Sequence, residues 1–232
     1  MEYLHNGYTL EISPGSFPLS TDTMALAGFV KLPRKARVLD LGSGCGSIGL
    51  LLCAYWADCA VTGIEVDENA HAAAVHNIET NLLTARLNSI CGDVNNICNL
   101  VPAGSFHCCV SNPPYFSSGP QSQSLPLARR DDGCTMDTLF QAAQWALKYG
   151  GDFFIVHRPE RLAELCACAA AHKLEPKRLC LLRHKEDGAV SLILLQCRKG
   201  GKPGLLWEEA ALFTAQGEPT SYHQTIYHTQ GG

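Results

Sequence analysis

A strand that runs into three alternating glycines and leaves directly as a helix constrains this chain more than any other feature. Val38-Leu39-Asp40-Leu41 has strand character, Gly42-Ser43-Gly44-Cys45-Gly46 follows, and Ser47-Ile48-Gly49-Leu50-Leu51-Leu52-Cys53-Ala54 reads as a helix. A turn this abrupt needs glycine for unusual φ/ψ and for close approach of a ligand to the backbone. The helix N-terminus then faces that ligand with unpaired N–H groups. One unit further on, the apolar run Ala60, Val61, Ile64 ends at Glu65. From that position a carboxylate reaches the two hydroxyls of an adenosine ribose. Two cofactor classes remain open at this point. Gly44, Gly46 and Gly49 satisfy the dinucleotide pattern G-x-G-x-x-G, whereas Gly42, Gly44 and Gly46 satisfy an alternate-glycine form with Asp40 at the end of the strand.

Around this unit the chain alternates strand and helix, which predicts a parallel sheet with helices on both faces. Strand 37–41 leads to helix 46–57, strand 60–65 to helix 67–81, and strand 87–92 to a weaker segment ending at Pro102. Strand Phe106–Val110 runs into Asn112, helix 135–148 stops at Gly150-Gly151, and strand Asp152–His157 precedes a helix opened by Pro159. Arg178–Arg183 and Val190–Gln196 are strands joined by a short turn at Glu186-Asp187-Gly188, so they form an antiparallel hairpin. Leu205–Phe213 offers a further edge strand. Upstream, Tyr8–Ile12 reads as a strand, and Ser20-Thr21-Asp22-Thr23 supplies N-caps for a helix through Met24, Leu26, Phe29 and Val30. That helix start either covers a cofactor with hydroxyls and N–H groups or only caps the helix. The expected architecture is one α/β domain over 1–232, Rossmann-like, with a mostly parallel seven-stranded sheet closed by the hairpin. Residues 1–36 form an N-terminal extension, 37–217 the core and 218–232 a tail.

With 232 residues, 46% of them hydrophobic, the chain can bury a full core as one domain. A net charge of -4 excludes a globally basic nucleic-acid binder but not a basic face. No apolar run reaches membrane-spanning length. Twelve cysteines without a leader-like start predict a reducing cytoplasm, with no disulfide framework. None shows C-x-x-C spacing and no paired histidines follow, so no metal is expected. His157, at a strand's carboxyl end, is the only histidine placed near a site, and the start of the next helix explains it as well.

The chemistry is expected beyond the fourth strand, at Asn112-Pro113-Pro114-Tyr115, because ligands of open α/β sheets sit past the strands' carboxyl ends. The prolines lack N–H groups and stiffen the turn, which leaves the Pro113 carbonyl to accept a hydrogen bond. Asn112 offers an amide oxygen beside it. Two adjacent acceptors suit a planar –NH₂ group, whose lone pair they would aim at an electrophile. Tyr115 would stack on the ring or amide carrying that amine. A dehydrogenase has no use for these residues.

Asp40-Leu41-Gly42-Ser43-Gly44-Cys45-Gly46 resembles motif I of the S-adenosylmethionine-dependent methyltransferases, and Asn112-Pro113-Pro114-Tyr115 resembles motif IV of those acting on adenine N6 or glutamine nitrogen. Ser16-Phe17-Pro18-Leu19-Ser20-Thr21-Asp22-Thr23, Phe116–Gly119, Ala128-Arg129-Arg130, Val156–Leu162 and Ile226-Tyr227 extend the likeness over nearly the whole chain. They are similar to the bacterial family that methylates N6 of the adenosine beside the anticodon of a valine tRNA. The chain departs from that pattern at Arg130-Asp131, where a more histidine- and glutamate-like pair is expected. The resemblance implies S-adenosylmethionine as cofactor, S-adenosylhomocysteine as its product, and a tRNA substrate. It implies Asn112, Pro113, Pro114 and Tyr115 as the catalytic segment. Asp40, Gly42, Gly44 and Gly46 would shape the methionine side of the cofactor site, with Thr23 and Asn112 beside them. Glu65 and Val66 would hold the ribose end, and Asp93 with the Val94 N–H the adenine. Lys35, Arg129, Arg130, Arg183 and Lys185 are candidate RNA contacts, since basic residues bracketing a site position a phosphate backbone.

Three other readings remain. A glutamine N5-methyltransferase acting on a release factor would satisfy the same two acceptors, but that family carries a helical domain where this chain has 36 residues before Arg37. A DNA adenine methyltransferase needs a target-recognition domain for which this length leaves no room. A non-catalytic S-adenosylmethionine- or RNA-binding module would not need Asn112 and Tyr115.

Overall fold

The computed structural model describes residues 2–4, 7–14, 18–114 and 134–227. Tyr115, Arg129 and Arg130 therefore lie outside the described residues. In chain order the elements are β1 (Glu2–Tyr3), β2 (Thr9–Leu10), α1 (Thr21–Phe29), β3 (Arg37–Leu41), α2 (Ser47–Tyr55) and β4 (Ala60–Glu65). Next come α3 (Glu68–Thr80), β5 (Leu87–Cys91), α4 (Ile97–Leu100), β6 (Phe106–Ser111), α5 (Met136–Ala146) and β7 (Leu147–His157). The last are α6 (Leu162–Ala171), β8 (Leu174–Lys185), β9 (Val190–Lys199), β10 (Leu206–Phe213) and α7 (Ser221–Ile226).

The main sheet has the order β10-β8-β9-β7-β6-β3-β4-β5. β9 is antiparallel to both neighbours and the other pairs are parallel. The expected hairpin is present, and the sheet has eight strands among the described residues where seven were expected, the further edge strand offered by Leu205–Phe213 forming as β10 beside β8. Its side chains from Leu206 to Ala211 are mostly exposed or half-buried, so it lacks the apolar run by which a buried strand announces itself. The strand expected over Tyr8–Ile12 contracts to Thr9–Leu10, paired with Glu2–Tyr3. β7 starts five residues earlier than expected. Leu147 pairs with Phe106, pairing lapses, and it resumes at Asp152 opposite Cys108. Gly150 sits at φ 79° in that irregularity, so the two glycines bend a strand where they were expected only to stop a helix.

β3 and β4 and then β5 proceed outward on one side, and the chain returns to place β6 on the other side of β3. The order of the strands therefore reverses between β3 and β6, which opens a crevice at their carboxyl ends. Two apolar cores flank the sheet. One packs α1 and α2 over Val38, Val110 and Phe154, and the other packs α5 over Leu39, Cys109 and Phe153.

The N-terminal residues are fastened to the core by two asparagines of α3. Asn77 is buried and donates to the carbonyls of Glu11 and Cys45 at 2.8 and 3.0 Å, while its oxygen accepts the Glu11 N–H at 2.8 Å. Asn81 makes the matching pair with Thr9. One side chain thus ties the extension to the glycine loop. Asn77→Ala leaves those backbone groups without partners and should cost roughly 1–3 kcal/mol in urea unfolding. An unchanged midpoint would show that Asn77 does not hold the two segments together.

Candidate active site

The glycine loop is built at the end of β3. The N–H groups of Gly42 and Ser43 both donate to the Ile64 carbonyl at 3.0 Å, which pins the loop over β4. Gly42, Gly44 and Gly46 have φ of 74°, 55° and 85°, a region that side chains with a Cβ rarely adopt. A Cβ on Gly42 or Gly44 would meet nothing within 4 Å, so the loop fronts open space. Gly63 serves a different purpose. A Cβ there would lie 2.5 Å from the Ser43 hydroxyl, so its absence lets the loop settle on β4.

Glu65 ends β4, and its two carboxylate oxygens accept the N–H groups of Gly44 at 2.7 Å and Asp67 at 2.9 Å. Each oxygen retains lone-pair capacity, so the carboxylate is aimed and can still accept from a pair of hydroxyls. The next residue, Val66, is 57% exposed. Asp93 caps a short 3-10 turn over Val94–Asn96, accepting the Asn95 N–H and side-chain amide through one oxygen. Val94 is buried.

Asp40 is the unusual acid. It is 1% exposed, and neither of its carboxyl oxygens has a hydrogen-bond partner. Burial first, and then the Glu65 charge, push its pKa up to about 8. A buried acid without a partner beside an open glycine loop suits a cationic ligand group, which would favour the ionised form. Open space at Gly42 and Gly44, a bidentate-ready Glu65, an exposed apolar Val66 and an uncompensated Asp40 together fit S-adenosylmethionine.

Asn112 reaches the same crevice from β6. Ser111 is fully buried and its hydroxyl donates to the Leu41 carbonyl at 2.8 Å, which locks the ends of β6 and β3 together. Asn112 Nδ2 donates to Thr23 Oγ1 at 3.1 Å. The donor side of the amide is therefore committed to α1, and Oδ1 faces the other way as an acceptor. Thr23 is buried in the first turn of that helix, beside its N-cap Ser20, whose hydroxyl lies 3.1 Å from Thr23 Oγ1. Thr23 was expected among the cofactor contacts; its described partners are Asn112 and Ser20. Pro113 is buried and Pro114 half-buried behind them.

Helix α1 is itself held from behind by α7. Ile226 packs where a Cβ on Gly28 would lie 2.6 Å from its Cγ2, and Tyr227 approaches Thr21 Oγ1 at 3.4 Å. These contacts, which no local pattern signals, account for the late Ile226-Tyr227 pair. His157 is buried at the end of β7, with Nδ1 accepting the Arg158 N–H at 2.8 Å. Burial, then Arg161, hold its pKa down to about 4. It ties the strand end to the next helix start.

The candidate RNA contacts separate. β8 is parallel to β7, so Arg183 and Lys185 stand at the crevice end. Arg183 is bonded to the Gly188 carbonyl and Glu209, whereas Lys185 is exposed. Lys35 precedes β3 and so lies at the opposite end, its N–H bonded to Asp58. Among the described residues no His, Cys, Asp and Glu group of three could hold a metal ion, and no helix is long and apolar enough to cross a membrane.

The raised Asp40 pKa has a measurable consequence. Below pH 3.8 the carboxyl is protonated in folded and unfolded chains alike. Between there and about 8 the unfolded chain has lost the proton and the folded one keeps it, so rising pH destabilises the ligand-free fold. Asp40→Asn should flatten this part of the stability–pH curve, followed by urea unfolding at several pH values. A slope unchanged in the variant would place the titration elsewhere.

The family model described as "Methyltransferase small domain" matches residues 19–165. A curated relative from Shewanella halifaxensis, named tRNA1(Val) (adenine(37)-N6)-methyltransferase, is 30% identical over 78% of this chain and 72% of its own. One of the same name from Photobacterium profundum is 28% identical over 77% and 76%. A crystal structure described as a predicted O-methyltransferase of Agrobacterium tumefaciens superposes with a TM-score of 0.76 at 20% identity, covering 91% of this chain and 98% of that one. Geranyl diphosphate C-methyltransferase from Streptomyces coelicolor, solved with S-adenosyl-L-homocysteine, gives 0.56 at 10% identity over 76% of each chain. These two likenesses concern the fold.

Proposed function

The chain belongs to the methyltransferase small domain family, and on that premise we propose that it methylates the exocyclic N6 of an adenosine in tRNA, with S-adenosylmethionine as donor. The observation that carries this reading is the Asn112 amide, whose donor side is spent on Thr23 and whose acceptor side is left at the crevice beside the glycine loop. The names of the relatives support the adenine and the tRNA. A tRNA substrate and twelve free cysteines suit a reducing cytoplasm.

When bound, S-adenosylmethionine supplies an electrophilic methyl group and leaves as S-adenosylhomocysteine. Gly42, Gly44 and Gly46 would let its methionine end approach the backbone, with Asp40 as the buried counter-charge. Glu65 would accept from the ribose hydroxyls, Val66 would cover the base on one side, and Asp93 and the Val94 N–H would meet its polar edge. On the substrate side the amine is a weak nucleophile, because its lone pair is delocalised into the ring. Asn112 Oδ1 and the Pro113 carbonyl would accept hydrogen bonds from its two N–H groups, which turns the lone pair out of the ring and stabilises the charge that develops on nitrogen. Tyr115, by its place in the motif, would stack on the adenine. The proton leaves to solvent after transfer.

The deciding experiment incubates the protein with labelled S-adenosylmethionine, total tRNA and a release factor, and then analyses nucleosides and peptides. N6-methyladenosine in tRNA is the expected product. A methylated glutamine with unmodified tRNA would move the chain to the protein-modifying class.

Two variants test the site. Asn112→Ala should fold and bind S-adenosylmethionine normally yet lose roughly 10²–10³ in kcat, the scale for one preorganised transition-state hydrogen bond. Thr23→Val keeps the shape but removes the partner of Asn112 Nδ2, so kcat should fall by about tenfold, with Thr23→Ser restoring it and cofactor affinity unchanged. If Thr23→Val weakens the cofactor and spares kcat, the residue belongs to the cofactor pocket. Glu65→Ala should weaken S-adenosylmethionine binding by roughly 1–3 kcal/mol in calorimetry, and unaltered binding would remove Glu65 from the ribose.

A further inference from the structure

Lys31 and Arg37 lie at the amino ends of the strands, away from Asn112, and a cleft of about 480 Å³ opens there. Lys31, His107, Lys148, Tyr149, Gln196 and Arg198 are among its lining residues. Arg198 is paired with Asp152 through bonds of 2.8 and 2.9 Å, which leaves Lys31 and Lys148 as excess cations on a chain whose net charge is -4.

The imidazole of His107 makes the cleft more specific than a charged surface. The Arg37 N–H, which can only donate, points at His107 Nδ1 from 3.0 Å. Nδ1 therefore carries the lone pair, and the proton of the neutral ring sits on Nε2. Nε2 lies 2.9 Å from Lys148 Nζ, and an ammonium has no acceptor. Two donors thus meet with no lone pair between them. An anionic oxygen accepting from both resolves the conflict. Burial, then Lys148 and Arg37, hold the His107 pKa below its ordinary value, which keeps the ring in this neutral form.

Tyr149 stands in the same lining, 84% exposed. It is fixed nonetheless: its hydroxyl donates to the Gly200 carbonyl at 3.2 Å, and a Cβ on Gly200 would collide with its ring. An exposed aromatic held in place beside excess cations is the arrangement that binds a base next to its phosphate.

We propose that this cleft binds a phosphate group of the RNA backbone, gripped by His107 Nε2, Lys148 and Lys31, with a neighbouring base on Tyr149. β6 carries His107 at this cleft and leads into Asn112 at the crevice, about 17 Å at strand rise, so an RNA folded over one edge of the protein reaches both. The phosphate site does not depend on which nitrogen the crevice methylates. A free nucleotide offers the same chemistry, and the test separates the two sources.

The test is histidine NMR on ¹⁵N-labelled protein, with His107→Gln to assign the signal. Inorganic phosphate, AMP and total tRNA are titrated in turn. Phosphate should shift His107 Nε2 and raise the His107 pKa, since an anion favours the protonated ring. Lys148→Met should weaken phosphate at least tenfold and leave S-adenosylmethionine binding unchanged. If tRNA displaces phosphate, and Lys31→Glu with Lys148→Glu lowers the salt slope of tRNA binding by about one to two, the ligand is RNA. If AMP binds tighter than phosphate through Tyr149 and tRNA does not compete, the backbone assignment falls and the cleft is a nucleotide site. No response of His107 to any of the three, or an equal response in Lys148→Met, overturns the proposal altogether.

Discussion

The pairing of β3 with β6 is the constraint on which the rest depends. The two strands are about seventy residues apart in the chain, yet Leu39 faces Cys109, Asp40 faces Val110, and the Ser111 hydroxyl closes their ends on the Leu41 carbonyl. A buried hydroxyl has to find an acceptor, and this one finds it where the glycine loop begins. The register that satisfies Ser111 also sets Asn112 beside Gly42. A slip of one residue would turn Asn112 into the sheet and bring an apolar face to the crevice.

The crevice is also an electrostatic design. Asp40 and Glu65 stand near the carboxyl ends of adjacent strands, the Glu65 charge adds to burial in disfavouring ionisation of Asp40, and Asp40 is deprived of every hydrogen bond that would relieve it. A fold seeking stability alone would place an apolar residue there. On the proposed function a cationic cofactor would relieve the buried acid, so the strain of the ligand-free state and affinity for the ligand would be two sides of one arrangement.

What was legible in the chain is what local chemistry dictates. The glycine loop, Glu65, the Asn112-Pro113-Pro114 turn and the antiparallel hairpin are each written in a few neighbouring residues, and the structure puts the loop after β3, Glu65 at the end of β4, Asn112 after β6 and the hairpin at β8 and β9. The hydrogen bond between Thr23 and Asn112 spans 89 residues and is invisible to any window. The bonds of Asn77 and Asn81 to Glu11 and Thr9 likewise span 66 and 72 residues, so no local pattern signals them. Gly150-Gly151 gave a false helix stop, because glycine marks a strand irregularity as readily as a cap. Lys35 was placed by charge alone, and its position just ahead of a parallel strand puts it at the amino end of the sheet, away from the glycine loop.

The packing of α7 beneath α1 ties catalysis to the order in which the chain is made. Asn112 emerges from the ribosome long before Ile226, yet the helix that carries its partner Thr23 rests on Ile226 and Tyr227. A nascent chain can form its sheet and glycine loop while Thr23 is still unsupported. With Asn112 in its proposed role, competence for methyl transfer arrives after most of the fold, and a polypeptide cut short before α7 would have a glycine loop with an unoriented asparagine.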